Sequence, residues 1–104
     1  MTYLIVFFNL KAGASPDAYE AWAKRTDIPT VRGLKSNAGF DVFKTLSVRG
    51  SDKAPPYQYV ELISIADMDQ FGQDVATDTM RKVAGEFREF ADSPTFVVAE
   101  KLEG

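Results

Sequence analysis

From Thr2 to Leu10 every residue except Thr2 and Asn9 is apolar or aromatic. Leu4, Val6 and Phe8 alternate with Tyr3, Ile5 and Phe7, so both faces of an extended segment would be apolar, as in a strand covered on two sides. Ser15-Pro16-Asp17 then opens a helix: Ser15 can cap the free amides, Pro16 suits the first turn, and Asp17 meets the positive end of the dipole. Tyr19, Trp22 and Ala23 form its apolar stripe, and the spacing predicts a helix over 16–27 that Pro29 ends or kinks, with a further turn over 30–34. Residues 39–48 alternate Phe40, Val42, Leu46 and Val48 with Asp41, Thr45 and Ser47, a half-exposed strand. A polar loop over 49–56 with Gly50, Pro55 and Pro56 leads to a strand over 57–65 that is apolar on both faces except at Glu61. Asp67-Met68-Asp69-Gln70 reads as a capped helix start, with Gln70 placed to reach back to the cap and Gly72 breaking the segment. Met80, Val83, Ala84, Phe87 and Phe90 predict a helix over 78–91, and a last strand follows over 95–102.

The order β-α-β-β-α-β predicts an α+β, ferredoxin-like fold with an antiparallel sheet in the order 4-1-3-2. Strands 1 and 3, the two with doubly apolar faces, then lie at the centre. One helix layer covers one face of such a sheet. The other face needs a second copy, which predicts a homodimer and a dimeric α/β barrel. At about 25 cal/mol per Å2, leaving several hundred Å2 of apolar sheet in water forgoes many kcal/mol of burial.

Composition narrows the chemistry. A length of 104 residues with 45% hydrophobic content fits one domain over 1–104. A net charge of -3 argues against a nucleic-acid partner. No apolar run approaches the ~18 residues of a membrane span, and the stretch 4–8 lacks the flanks of a signal peptide, so a cytoplasmic location with no membrane partner is expected. The chain has no Cys and no His. Thiolate nucleophiles, the usual zinc and haem ligands and a histidine general base are thereby removed. No Gly-rich nicotinamide fingerprint occurs either, so neither metal nor cofactor is expected. Asp67, Asp69, Gly72 and Asp74 only loosely follow a calcium loop, and helix capping explains them better.

Glu61 stands out because it interrupts the apolar run of a central strand. A buried carboxylate without partners holds its proton to higher pH and can serve as acid or base near neutrality. An ion pair with Arg25, Arg32 or Lys44 is the competing account. Tyr3, Tyr57 and Tyr59 can orient or protonate a ligand oxygen, although strand tyrosines are more often core residues with a wet hydroxyl. Asn9 can bind a carbonyl or form a turn. Trp22, Phe40 and Phe43 can wall an aromatic ligand or pack the core. Arg25-Thr26-Asp27 lies at a helix end distorted by Pro29, where backbone groups are freed and side chains can be aimed inward; a local salt bridge is its plainer role.

The segments Tyr19-Glu20-Ala21-Trp22-Ala23, Asp27-Ile28-Pro29-Thr30-Val31, Ala38-Gly39-Phe40, Pro56-Tyr57-Gln58-Tyr59-Val60-Glu61, Asp67-Met68-Asp69-Gln70-Phe71-Gly72 and Glu86-Phe87-Arg88-Glu89-Phe90-Ala91-Asp92 together resemble the RedY-like (HapK) family over nearly the whole chain. That family is associated with the biosynthesis of prodiginine-type pyrrole pigments and related aromatic dimers. It belongs to the dimeric α/β-barrel group, with cofactor-free monooxygenases and polyketide cyclases. The resemblance implies a small cofactor-free catalyst of cyclisation, dehydration or coupling on an aromatic or pyrrole-like intermediate. A non-catalytic dimer that binds a biosynthetic partner is the alternative, and a cofactor-free monooxygenase a weaker one. Plant cyclases of the group carry histidines on strands 1 and 3, at positions that Tyr3 and Tyr59 occupy here, so a histidine mechanism is excluded. The same placement points Ile5, Phe7, Asn9, Glu61 and Ile63 into a pocket beneath the helices. Glu61 and Tyr59 are then the candidate catalytic residues, with Tyr3, Phe7, Asn9, Trp22 and Asp27 as candidate substrate-binding residues.

Overall fold

A computed structural model describes the chain from Met1 to Gly104. Its elements run β1 (Thr2–Leu10), α1 (Pro16–Trp22), a π-helical stretch (Ala23–Asp27), α2 (Ile28–Arg32), β2 (Asn37–Lys44), β3 (Tyr59–Ile65), α3 (Met68–Val75), α4 (Asp78–Phe90) and β4 (Ala91–Glu100). The four strands form one antiparallel sheet in the order β2-β3-β1-β4, the ferredoxin-like order expected, with β1 and β3 inside.

The caps act as their residue types predict. Ser15 Oγ accepts from the Ala18 amide at 3.2 Å, and the Asp67 carboxylate accepts from the Asp69 and Gln70 amides. Gln70 does not reach back to this cap; its side chain donates forward to Asp74 at 2.7 Å. Gly72 does not break the segment, because α3 runs through it from 68 to 75. Several strand boundaries also differ from expectation. β2 ends at Lys44, and β3 begins only at Tyr59. Prolines 55 and 56 offer no amide to a ladder, so the loop is longer than the polar run alone suggests. β4 starts at Ala91, directly after α4. Asp92-Ser93-Pro94 is absorbed as a bulge inside the strand: the register against β1 shifts between Phe7 and Asn9, and Ser93 takes a left-handed φ of 47°.

Register decides which residues meet the helices. On β1 these are Leu4, Val6 and Phe8; on β3 they are Tyr59, Glu61, Ile63 and Ile65, since Val6 lies opposite Glu61 and Phe8 opposite Tyr59. Val6, Phe8, Tyr19, Trp22, Tyr59, Val83 and Phe87 form the larger core cluster. The ring of Phe8 meets Tyr19 and Phe87 edge-on, with centroids 5.4 and 4.9 Å apart, a geometry favoured by the ring quadrupoles. The opposite face of the sheet carries Tyr3, Ile5, Phe7, Val60 and Leu62 with no helix over them.

Candidate functional site

The site begins with a helix that changes pitch. Pro29 has no amide to donate to a carbonyl one turn back, so the ladder beside it must be interrupted. The Ile28 amide reaches five residues back to the Ala23 carbonyl, and Ala23–Asp27 form a π-helical stretch. Such stretches widen the helix and are frequent at functional positions. Here the widened turn points Asp27 inward, leaving it 5% exposed. β3 brings Glu61 to the same place from the sheet, also 5% exposed.

The two carboxyls lie close enough to shift each other's proton affinity. Two buried carboxylates side by side resist ionising together, so the pair retains one proton to higher pH. Burial, then the charge of Asp27, pushes Glu61 up to about 8; the Tyr19 hydroxyl, donating to Glu61 Oε2 at 3.4 Å, pulls in the other direction. Burial pushes Asp27 up to about 6, and the neighbouring Glu61 carboxyl opposes the shift. The two values belong to the pair as a unit. Tyr19 itself is held far above the usual phenol range, first by burial and then by the Glu61 and Asp27 charges. It stays protonated and acts as a donor. Near neutrality the trio therefore carries one carboxylic acid, one carboxylate and one phenol.

A cavity of about 230 Å3 opens onto this pair. Leu4, Val6, Phe40, Ile63, Met80 and Phe87 provide its apolar walls, and the exposed residues Val75, Arg88 and Phe96 stand at its mouth. A ring can lie against such walls while the carboxyl pair gives a proton to one ligand atom and takes one from another. That is general acid–base work by a group whose proton affinity sits near the operating pH. The residues that reach the cavity include neither His nor Cys, so it has no soft or imidazole donor for a transition metal.

The family model described as REDY-like protein HapK matches residues 2–102. The chain belongs to this family. HapK from Hahella chejuensis is 30% identical, the match covering 100% of this chain and 95% of that one with a TM-score of 0.77. SnoaB from Streptomyces nogalater, a cofactor-independent oxygenase, is 16% identical, with 99% and 94% of the two chains covered and a TM-score of 0.75. A dimeric protein of unknown function with a ferredoxin-like fold from Bacteroides fragilis is 10% identical, with 96% and 95% covered and a TM-score of 0.68. These last two share the fold. No curated protein sequence matches the chain.

In this HapK-family fold the candidate residues read from sequence fall into separate groups. Glu61 and Asp27 meet. Glu61 has no ion pair: Arg32 pairs with Asp41 at 3.4 Å and Lys44 with Glu20 at 3.0 Å. Tyr59 shares Glu61's face, but its hydroxyl donates to Glu20 at 2.7 Å in a separate hollow of about 120 Å3. That bond, then Lys44, holds Glu20 below its ordinary range. Trp22 is a core residue whose indole N–H donates to Glu86 at 2.9 Å. Tyr3, Phe7 and Asn9 are on the wrong side for this site. They belong to the odd positions of β1, and antiparallel register puts those on the open face, with Tyr3 opposite Ser64 and Phe7 opposite Val60. Tyr3 lines a hollow there with Ile5 and Leu62. Phe7 packs its ring 5.4 Å from Tyr57, and Asn9 holds the loop by accepting from the Gln58 amide at 2.9 Å. In the sequence Tyr19 belongs to the apolar core stripe. It lies four and eight residues before Ala23 and Asp27, which makes Asp27 a polar residue continuing that stripe.

Proposed function

We propose that this RedY-like protein is a cofactor-free acid–base catalyst acting on a small aromatic or pyrrole-like intermediate of secondary-metabolite biosynthesis. The observation that carries this reading is the buried Asp27–Glu61 carboxyl pair at the floor of a cavity with apolar walls. The pair, holding one proton at neutrality, donates it to a leaving hydroxyl or an accepting ring carbon. Its ionised carboxylate takes a proton from the ligand, and the pair returns to its resting state by passing one proton between the two carboxyls. Tyr19 steadies Glu61 when it is ionised. Cyclisation, dehydration and coupling by condensation with loss of water are redox-neutral and need this exchange and no electron carrier. SnoaB, named a cofactor-independent oxygenase, shares the fold, but no residue of the cavity selects oxygen chemistry over proton transfer. A purely structural binding dimer would gain nothing from a carboxyl pair kept dry beside an open cavity, since burying it costs stability.

The test replaces the chromosomal gene with Glu61→Gln, Asp27→Asn or Tyr59→Phe and measures pathway intermediates by mass spectrometry. Glu61→Gln and Asp27→Asn are expected to block one step and accumulate its substrate, while Tyr59→Phe, whose hydroxyl serves Glu20, leaves most of the flux. Normal product levels in a folded Glu61→Gln protein would end the catalytic reading.

A further inference from the structure

Charge within the cavity is distributed unevenly. Its floor is the Asp27–Glu61 pair, its walls are apolar, and the cation that reaches it is Arg88, on the exposed side of α4 at the mouth. The ion pairs of the chain are Arg32–Asp41 and Lys44–Glu20, so Arg88 is not held by a carboxylate of its own protein. Arg88 takes no part in the proton exchange described above, yet a guanidinium beside Val75 and Phe96 is a planar donor fork next to an apolar rim.

We infer that the cavity takes a one- or two-ring aromatic carboxylic acid, bound with its ring toward Glu61 and its carboxylate on Arg88. This rests on the proposed function and names its substrate class. Size sets the ring count: drug-sized ligands occupy roughly 300–1,000 Å3, and this cavity holds about 230 Å3. Electrostatics set the orientation. A carboxylate pushed to the floor would meet the Asp27 charge in a dry site, whereas at the mouth it meets a guanidinium that can bind both its oxygens. A cationic ligand would be repelled at the entrance, and a neutral one would leave Arg88 without a partner. The ring atom beside the carboxyl pair is then the one that gains or loses a proton, and the acid group remains a handle that takes no part in the chemistry.

Calorimetry with naphthalene-1-acetate and its neutral isostere naphthalene-1-acetamide tests this on the intact protein. The acid is expected to bind about threefold to tenfold more tightly than the amide at low salt, the scale of a partly exposed charge-assisted contact. Arg88→Gln should bring the acid to the level of the amide without weakening the amide, Arg88→Lys should restore part of the preference, and added salt should erode it. Equal binding of acid and amide, equal loss of both in Arg88→Gln, or no binding of either would each overturn the inference. Glu61→Gln keeps the two readings apart. An acid preference that depends on Arg88 together with normal flux in Glu61→Gln cells would remove the catalytic proposal alone. Blocked flux without an acid preference would remove the substrate class alone.

Discussion

A carboxylate facing a helix layer from the middle of a sheet must find a cation, a proton or a set of donors, because a bare buried charge is too costly. Glu61 takes a proton and a phenol donor and leaves the nearby cations to other partners. This has a consequence for stability. Glu61 and Asp27 are raised from 4.5 and 3.8 to about 8 and about 6, so the folded protein holds protons that the unfolded chain has already released. Between those limits the native state binds more protons, and stability falls as pH rises. Thermal denaturation of the wild type is therefore expected to show a midpoint that declines from about pH 5 to pH 8. Glu61→Gln should flatten the decline and be the more stable protein at pH 8, by on the order of a few kcal/mol. Identical profiles for the two proteins would mean that Glu61 is not buried as a proton carrier. Tyr19→Phe removes a bond that favours ionised Glu61. The protonated-carboxyl band of Glu61 in infrared spectra should then persist to higher pH than in the wild type, and an unchanged titration would remove Tyr19 from the site.

At the level of elements, the π-helical stretch and α3 shape the cavity from two sides. Pro29→Ala supplies the missing amide and allows an ordinary α-helical ladder past Asp27. That register is expected to turn Asp27 away from Glu61. The variant should fold at least as stably, lose the coupled titration of the pair and lose pathway flux, measured by infrared titration and metabolite analysis; retention of both would show that the pitch change does not position Asp27. On the other side, the Asp74 carboxylate accepts from the Ser36 amide at 2.9 Å and from its hydroxyl at 2.7 Å, tying α3 to the turn before β2. These bonds, with that from Gln70, hold Asp74 below the ordinary carboxylate range. Its stabilising effect is complete above that range and fades as acid protonates it. Asp74→Ala is expected to lower the thermal midpoint at pH 7, with a smaller difference at pH 3 in the same assay.

For the whole molecule, the open sheet face is the decisive feature. Ile5 opposite Leu62 and Phe7 opposite Val60 form an apolar band with no helix above it, bordered by Phe43 at 52% and Val97 at 39% exposure. A second copy laid on this band would bury it. Sedimentation is expected to give a dimer at micromolar concentration, and Leu62→Glu a folded monomer or aggregate. A wild-type monomer would assign the band to another partner. No helix is long and apolar enough to cross a membrane.

Much of the fold was legible locally. Alternation of side chains, caps at Ser15 and Asp67, and the prolines around the loop before Tyr59 all act over a few residues, and the sheet order follows from the number and sequence of the elements. Glu61 was legible as an anomaly because one charge in an apolar strand is visible in one dimension. Its partners were not. Which face of β1 meets the helices depends on a pairing register with β3, and shifting it by one residue moves every side chain to the other side. That parity put Tyr3, Phe7 and Asn9 on the open face and Val6 opposite Glu61. Asp27 reaches Glu61 from a π-helical stretch, across 34 residues of chain. The sequence alone determines the elements, their order and the odd carboxylate. Tertiary structure decides which second carboxylate shares its proton, because a shared proton requires contact between atoms that no local pattern brings together.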